Sequence, residues 1–291
     1  MKFSLSIFGL MLLTCLSASA QAVNVDLVLE QQQFLPSESL PVAVHITNRS
    51  GQSLHLGADA NWLTFDVESA DGFIVIKNAD APVVGEFDLG SSEVATKRVD
   101  LAPYFTLTQA GRYRVIATVR IKDWNTEISS APQGFDVIDG AKLWSQTFGV
   151  PMPDGETNQP PEVRRYTLEQ ANYLRSQLRL YAQVSNESES RVFKVVALGR
   201  MVSFGRPEAQ LDRLSNLHVL WQSGGAVFSY AVVSPGGVIL QQEIYDYINT
   251  HPRLGANDSG DIVVIGGVRR VKPEVLPTVK SPNELPAPAK P

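Results

Sequence analysis

The chain has 291 residues, with 25 basic and 30 acidic side chains and a formal net charge of −5. A mildly acidic chain without a basic stripe is not typical of nucleic-acid-binding proteins, so we expect no nucleic acid among its partners. The length suggests about two domains. Cysteine occurs once, at Cys15.

The first twenty residues have the pattern of a secretory signal peptide. Lys2 precedes the apolar run Ile7–Leu16, and Ala18-Ser19-Ala20 supplies the small residues that signal peptidase recognises. The run is shorter than the roughly 20 apolar residues that span a bilayer. We therefore expect residues 1–20 to be removed, with a periplasmic or extracellular protein that retains no transmembrane segment.

Cleavage after Ala20 would also remove the single cysteine and Lys2. The exported chain would carry 24 basic and 30 acidic residues, a net charge of −6. It would have no disulfide, no thiol nucleophile and no cysteine-ligated metal, so its core alone would stabilise it. The alternative is a lipoprotein anchored at Cys15, because Leu12-Leu13-Thr14-Cys15 loosely resembles a lipobox.

Composition divides the rest of the chain. Residues 22–140 form a first predicted domain, 149–162 a proline-containing linker, and 163–271 a second domain. Residues 272–291 are rich in proline and lack aromatic residues, so they offer too little apolar surface to offset the entropy of ordering. We expect them to be a disordered tail.

The first domain has the alternation typical of half-buried strands. Apolar residues recur at every second position along three segments: Val23 to Leu29, Val42 to Ile46 and Tyr113 to Val119. Asp71-Gly72, between Trp62–Val67 and Phe73–Ile76, predicts a β-hairpin. Short strands separated by turn residues over this length predict a β-sandwich.

Two segments carry a resemblance to a known family. Phe34-Leu35-Pro36-Ser37-Glu38, followed by Val42 to Asn48, resembles the first two strands of bacterial immunoglobulin-like domains, and Ala110 to Val115 resembles a strand near their end. The resemblance covers residues 23–138 and implies an immunoglobulin-like sandwich. Ser37 replaces the usual turn glycine, and Ala110 the usual proline. The resemblance implies no activity, since such domains have many functions.

The second domain is also predicted to consist of antiparallel strands. Residues 217–221, 227–233 and 238–245 are separated by the glycine turns 223–225 and 235–237. Residues 167–181 fit either a strand or a helix, because the long alternation competes with a capping box at its start. A meander sheet or a second sandwich would accommodate these strands.

The sequence contains no recognisable catalytic motif. The four histidines (His45, His55, His218 and His251) have no metal-ligand spacing, and no Gly-x-Ser-x-Gly elbow occurs. We therefore expect no catalytic residues, no cofactor and no metal site. Asn257–Asp261 has oxygen atoms at alternate positions, which leaves calcium binding open beside a simple β-turn.

Trp124 and Asp123 are the candidate ligand-binding residues. They lie in a polar turn, where an exposed indole ring could contact a sugar or a peptide. The competing interpretation is that Trp124 packs over the end of the sandwich.

The leading functional hypothesis is a non-enzymatic exported binding or assembly protein of the cell envelope, with a protein or polysaccharide partner. One alternative is an extracellular hydrolase that acts on glycans or peptides at an unrecognised site in the second domain. Glycoside hydrolysis would need two converging carboxylates. Candidate acids at strand ends are Asp66, Glu68, Asp100, Asp123, Glu243 and Asp246. A further alternative is a protease inhibitor.

Overall fold

The computed structural model describes residues 22–151 and 162–271. The predicted signal peptide, most of the predicted linker and the predicted tail lie outside these residues. Within them every regular element is a β-strand, apart from one 3-10 turn at Lys122–Trp124. The prediction of an all-β protein is confirmed. No helix in the described part of the chain is both long enough and apolar enough to span a membrane.

The chain forms two compact units, of which the first comprises residues 22–34 and 39–137. Its strands are β1 Val23–Leu29, β2 Gln33–Phe34, β3 Pro41–Asn48, β4 Leu54–Leu56, β5 Leu63–Ser69, β6 Ile76–Lys77, β7 Phe87–Leu89, β8 Val94–Asp100, β9 Phe105–Thr106, β10 Gly111–Ile121, β11 Thr126–Ser129 and β12 Gln133–Val137.

Two sheets enclose the core of the first unit. One has the order β1-β3-β8. In the other, β10 pairs with β5, β11 and β12, and β2 joins β12 in parallel. The residues predicted to alternate inward, such as Val25, Val44 and Val115, are buried in one shared cluster. Burial of alternate positions on both sheets is what defines a β-sandwich.

The strand order is that of an immunoglobulin-like domain, in which strands A, B and E face strands C, F and G. Here β1, β3 and β8 face β5, β10 and β12. The hydroxyl of Tyr113, near the start of β10, donates to the carbonyl of Gln109 at 2.7 Å. This contact is the tyrosine corner of such domains. The predicted immunoglobulin-like sandwich is therefore confirmed.

The hairpin predicted around Asp71-Gly72 is wrong. Strand β5 pairs with β10 instead, with Val67 opposite Val115. The Asp71 carboxylate accepts hydrogen bonds from the backbone and guanidinium N–H groups of Arg112, at 2.7 Å each. These bonds join the turn to β10, and Phe73 remains 41% exposed.

Gly57 is required where two backbone segments of the first unit meet. Its φ is +90°, and an added Cβ would collide with the carbonyl of Gly85. We expect Gly57→Ala to lower the free energy of unfolding by about 2 kcal/mol. Gly51 is a matched control, because it also has a positive φ (+81°) but open space around it. Gly51→Ala should cost about 1 kcal/mol in chemical denaturation. Equal losses would contradict the role of the close approach.

The second unit comprises residues 35–38 and 138–271 among those described. Its strands are β13 Ala141–Gly149, β14 Val163–Tyr173, β15 Gln177–Asn186, β16 Val192–Arg200, β17 Glu208–Leu211, β18 Leu217–Gln222, β19 Val227–Val233, β20 Ile239–Asp246, β21 Arg253–Ala256, β22 Ile262–Ile265 and β23 Val268–Arg269.

Two antiparallel sheets form the body of the second unit. Their orders are β13-β14-β15-β16 and β17-β18-β19-β20-β23, and β21 and β22 form a separate hairpin. The two sheets share a core that includes Leu168, Leu180, Val219 and Trp221. The opposite face of the second sheet is also buried, because Leu254 and its neighbours in the hairpin pack on it.

Residues 167–181 form strand, turn and strand, so the helical alternative is wrong. Strand β14 ends at Tyr173 and β15 begins at Gln177. Leu174 and Arg175 between them have φ values of 49° and 58°. Two successive positive φ values are typical of the tight turns that connect hairpin strands.

The segment 35–38 packs within the second unit. Leu35 is buried with Ala171, Tyr181 and Val195. The Glu38 carboxylate accepts a hydrogen bond from the Leu35 N–H at 2.7 Å. Ser37 has a φ of +62°, a conformation in which glycine is usual. Ser37, which stands where bacterial immunoglobulin-like domains usually have a turn glycine, therefore has the left-handed conformation that favours glycine.

Candidate functional site

Trp124 and Asp123 lie in the 3-10 turn between β10 and β11. Trp124 is half-buried and packs against the core of the first unit, whereas Asp123 is exposed. Asn125 reverses the chain at a φ of 48°, and its N–H donates to the carbonyl of Lys122 at 3.0 Å. The packing interpretation thus describes the position of Trp124. Ligand binding at Trp124 and Asp123 stays a prediction.

His55 forms the clearest charged cluster of the first unit. Its two ring nitrogens lie 2.6 Å from Glu86 Oε1 and 2.8 Å from Asp88 Oδ1. Hydrogen bonds to Asp88 and Glu86 raise the pKa of His55 above its ordinary value of 6.5. The two carboxylates bind different nitrogens of one ring, so this arrangement holds the β4–β7 pair at the surface.

The residues Asn257–Asp261 form the turn of the β21–β22 hairpin. The side-chain oxygen of Asn257 accepts hydrogen bonds from the N–H groups of Ser259 and Asp261, at 3.0 and 2.8 Å. Asp261 also pairs with Arg213 at 3.0 Å. These oxygens are engaged within the turn, which favours the β-turn interpretation. The described residues contain no group of three or more His, Cys, Asp or Glu that could hold a metal ion.

A groove of about 650 Å³ lies in the second unit. Its lining residues are Leu198, Trp221, Ser229, Tyr230, Gln242, Glu243, Ile244, Arg269, Arg270 and Val271. Trp221, Ser229 and Ile244 are opposite one another across β18, β19 and β20. Leu198 comes from β16 of the facing sheet. The groove therefore opens where the β16 and β20 sides of the two sheets approach each other.

The charged residues at the groove are paired with each other. Glu243 accepts hydrogen bonds from the Tyr245 hydroxyl at 2.6 Å and from the Arg269 guanidinium. Asp246 binds Arg270 through two hydrogen bonds, of 2.6 and 2.7 Å. Burial alone would raise the pKa of Glu243, but hydrogen bonds from Tyr245 and Gln241 and the charge of Arg269 together lower it. The groove thus has little uncompensated charge.

A second polar network includes Tyr230, which also lines the groove. His218 Nδ1 lies 2.6 Å from the Tyr230 hydroxyl, and His218 Nε2 lies 3.2 Å from Asp212 Oδ2. His218 and Tyr230 are both buried, and burial raises the pKa of Tyr230 to about 12. Tyr230 therefore stays protonated at neutral pH. Asp212 also accepts bonds from the N–H groups of Leu214 and Asn216, so the network stabilises the β17–β18 turn.

The acids considered for hydrolysis occupy separate places. Glu68 pairs with Arg114 at 3.1 Å, while Asp100 accepts hydrogen bonds from the N–H groups of Leu40 and Ala102. Glu243 and Asp246 share strand β20, but each is bound to its own arginine. Carboxylates that are ion-paired or hydrogen-bonded in this way are better suited to stabilising the fold than to general acid–base catalysis.

Apolar side chains are exposed on and next to β20 and β23, and Ile244 among them lines the groove. Val238, Leu240 and Ile244 are 60%, 58% and 41% exposed, and Val268 on β23 is 53% exposed. The groove was not predicted from the sequence, because its lining residues come from segments far apart in the chain. The one local sign of an exposed apolar surface was the presence of Val238 and Leu240 directly after the turn 235–237.

Comparison with known proteins identifies no family for this chain. No protein-family model matches the chain, and no curated protein matches it. A solved structure that aligns with it is the sporulation control protein Spo0M from Bacillus subtilis. That alignment covers 72% of this chain and 79% of Spo0M, with 12% identity and a TM-score of 0.30. A TM-score this low supports no inference about fold or function.

Proposed function

We propose that this chain is an exported, non-enzymatic binding protein, and that the groove of its second unit holds the partner. The observation that carries the proposal is the groove itself. Its volume of about 650 Å³ lies within the ~300–1,000 Å³ usual for ligand sites, and apolar walls meet a few polar groups, as such sites require.

The state of the polar groups favours binding over catalysis. Glu243 and Asp246 are ion-paired, and the raised pKa of Tyr230 makes this hydroxyl a poor proton donor at neutral pH. A general acid or base works best when its pKa lies near the operating pH. Paired, protonated or buried groups can still orient a partner.

Export is part of the same proposal, and it rests on the pattern of residues 1–20. The full-length chain expressed in a bacterium should be recovered outside the cytoplasm. Its mass should correspond to a chain that begins at Gln21. Recovery of the intact chain in the cytoplasm would contradict export, and a lipid-modified form beginning at Cys15 would replace release with anchoring.

Binding at the groove can be tested with a charge placed in it. The chain from Gln21 to Pro291 is immobilised and exposed to cell-envelope proteins and polysaccharides of the source organism. Ile244→Lys should reduce the retained amount of a specific partner at least tenfold, because the groove wall at this position is apolar and a partner seated on it would have to cover the lysine charge.

The matched control is Val94→Lys in the first unit, where Val94 is 58% exposed. This variant should retain the partner as the unmodified chain does. Circular dichroism should show that both variants remain folded. If Ile244→Lys retains the partner undiminished, or if the unmodified chain retains none, the proposed function is wrong.

A further inference from the structure

One end of the second unit carries exposed apolar side chains on two loops. Strands β16, β18 and β20 end there, and β17, β19 and β21 begin there. Phe204, in the loop 201–207 between β16 and β17, is 79% exposed. Ile248, in the loop 247–252 between β20 and β21, is 64% exposed, and Tyr247 beside it is exposed as well. We refer to these two loops, together with the β18–β19 turn, as the loop end.

The two loops are held beside the β18–β19 turn by backbone hydrogen bonds. The Val202 N–H donates to the carbonyl of Gln222, the last residue of β18, at 3.0 Å. The Tyr247 N–H donates to the carbonyl of Ala226, just before β19, at 2.8 Å. The exposed side chains of both loops therefore lie at the same end of one sheet, and the loops need little further ordering to contact a partner.

Three exposed arginines belong to the loop end or border it. Arg200 is the last residue of β16, Arg206 lies two positions after Phe204, and Arg253 is the first residue of β21. Within residues 22–151 and 162–271, none of the three arginines forms an ion pair. The full chain has a net charge of −5, so this positive charge is a local feature of the loop end.

The acidic residues of the adjoining strands offset these arginines only in part. Glu208 contributes one negative charge, and its carboxylate accepts a hydrogen bond from the Leu254 N–H at 2.8 Å. Asp246 is paired with Arg270 through two hydrogen bonds, so it does not act on the other arginines as a free charge. The loop end therefore presents exposed apolar side chains next to an excess of positive charge.

This combination fits an anionic lipid surface. Binding at a membrane surface strengthens with the apolar area that enters the boundary between head groups and acyl chains, and with attraction to anionic lipids. Each arginine near such a surface adds to that attraction. Tyrosine, as at Tyr247, is enriched at the same boundary because one end of its ring is apolar and the other polar.

Other occupants fit the loop end less well. The cavity beneath the loops, which Arg206 and His251 help to line, measures about 130 Å³. Small-molecule sites usually measure ~300–1,000 Å³. A protein partner would have to place a pocket opposite each apolar side chain and a carboxylate opposite each arginine. A lipid surface supplies apolar volume and negative charge at any spacing, so it needs no such match.

We propose that the loop end docks the second unit on an anionic lipid surface. Phe204 and Ile248 would enter the head-group boundary, and Arg200, Arg206 and Arg253 would contact lipid phosphates. The inference goes beyond the proposed function, because it concerns where the protein is held and uses none of the residues that line the groove.

The first test measures cosedimentation of the chain from Gln21 to Pro291 with lipid vesicles. Vesicles of equal parts phosphatidylcholine and phosphatidylglycerol should bind it at least tenfold more tightly than vesicles of phosphatidylcholine alone. Salt should weaken this binding, since it screens exposed charges. Phe204→Ser combined with Ile248→Ser should weaken it at least tenfold, because apolar area is lost.

The matched control removes two equally exposed apolar side chains at the opposite end of the same sheet. Leu214 and Val238, in the β17–β18 and β19–β20 turns, are 65% and 60% exposed. Leu214→Ser combined with Val238→Ser should bind the anionic vesicles as the unmodified chain does. Circular dichroism should show that both double variants remain folded. Equal weakening in the two double variants would overturn the inference.

The charge contribution has its own pair of variants. Arg206→Gln should weaken binding to the anionic vesicles about fivefold, the effect of one arginine near such a surface. Arg213→Gln removes the same charge at the opposite end, where Arg213 pairs with Asp261. It should leave the binding unchanged. If the two variants behave alike, the position of the charge is irrelevant and the inference is wrong.

A fluorescent label reports which end meets the lipid. The chain from Gln21 has no cysteine, so Ile248→Cys and Leu214→Cys can each carry one environment-sensitive fluorophore. Its emission should increase on anionic vesicles when it is attached at residue 248 and stay constant at residue 214. An unchanged emission at residue 248 would overturn the inference even if the chain sediments with vesicles.

The outcomes separate this inference from the proposed function. Ile244→Lys should leave vesicle binding intact, and Phe204→Ser with Ile248→Ser should leave a groove partner bound. If the unmodified chain binds no anionic vesicles, the lipid inference is wrong whatever the groove binds. If, instead, the loop-end variant loses an envelope protein, the loop end is a protein interface and the lipid inference is equally wrong.

Discussion

Trp221→Ala should lower the free energy of unfolding of the second unit by about 4 kcal/mol, the largest loss that we expect from a single substitution. Trp221 is 3% exposed and belongs to the core that the two sheets share. Its indole N–H also donates to the carbonyl of Arg200 at 2.9 Å. The substitution would therefore leave a large cavity and an unpaired carbonyl.

The measurement is urea unfolding followed by far-ultraviolet circular dichroism, which does not depend on the removed chromophore. Leu174→Ala is the control, because Leu174 is 45% exposed in the β14–β15 turn. It should change stability by about 0.5 kcal/mol or less. A loss below about 1 kcal/mol in Trp221→Ala would mean that Trp221 contributes little to the core.

The second large effect is expected at Asn48 in the first unit, where Asn48→Ala should cost about 3 kcal/mol. Asn48 is fully buried at the end of β3. Its amide donates to the carbonyls of Gln52 and Leu89, at 2.7 and 2.9 Å, and its oxygen accepts from the N–H and hydroxyl of Ser50. Removing the amide would leave several polar groups without partners, at least one of them buried.

Chemical denaturation of Asn48→Ala should be compared with that of Asn24→Ala. The Asn24 amide donates to Asp26 at the surface, at 2.6 Å, so its loss should cost less than about 0.5 kcal/mol. Similar losses in the two variants would show that the buried network around Asn48 is not a source of stability.

The sequence predicted strands well where one face is buried. The alternation of Val23, Val25 and Leu27 corresponds to buried positions of β1, and the same holds for Tyr113, Val115 and Ala117 in β10. This works because the side-chain period of a strand is fixed at two residues, so one buried face appears directly in the sequence.

Pairing between distant strands could not be predicted in the same way. Asp71-Gly72 has the composition of a hairpin turn, but β5 pairs with β10, and Asp71 binds Arg112. In the second unit, the turn at Leu174 and Arg175 has no glycine or asparagine to mark it. Local composition does not determine which edge a strand joins, nor does it reveal left-handed residues of ordinary type.

The groove could not be predicted from the sequence for a related reason. It combines Leu198, Trp221, Ile244 and Arg269, which belong to four strands. None of these residues stands out locally, and their chemistry emerges from the packing of one sheet edge against another. Trp124, which did stand out, packs on the core of the first unit.

The tyrosine corner also shows where antibody domains carry a cysteine that this chain lacks. In antibody domains the corner tyrosine precedes a disulfide cysteine by two residues, and here that place is taken by Val115, fully buried in the core. The single cysteine of the whole chain is Cys15. A reporter cysteine introduced at an exposed site, such as Thr96, would then be the sole thiol of a chain that starts at Gln21. One fluorophore or spin label could be attached there without competing oxidation.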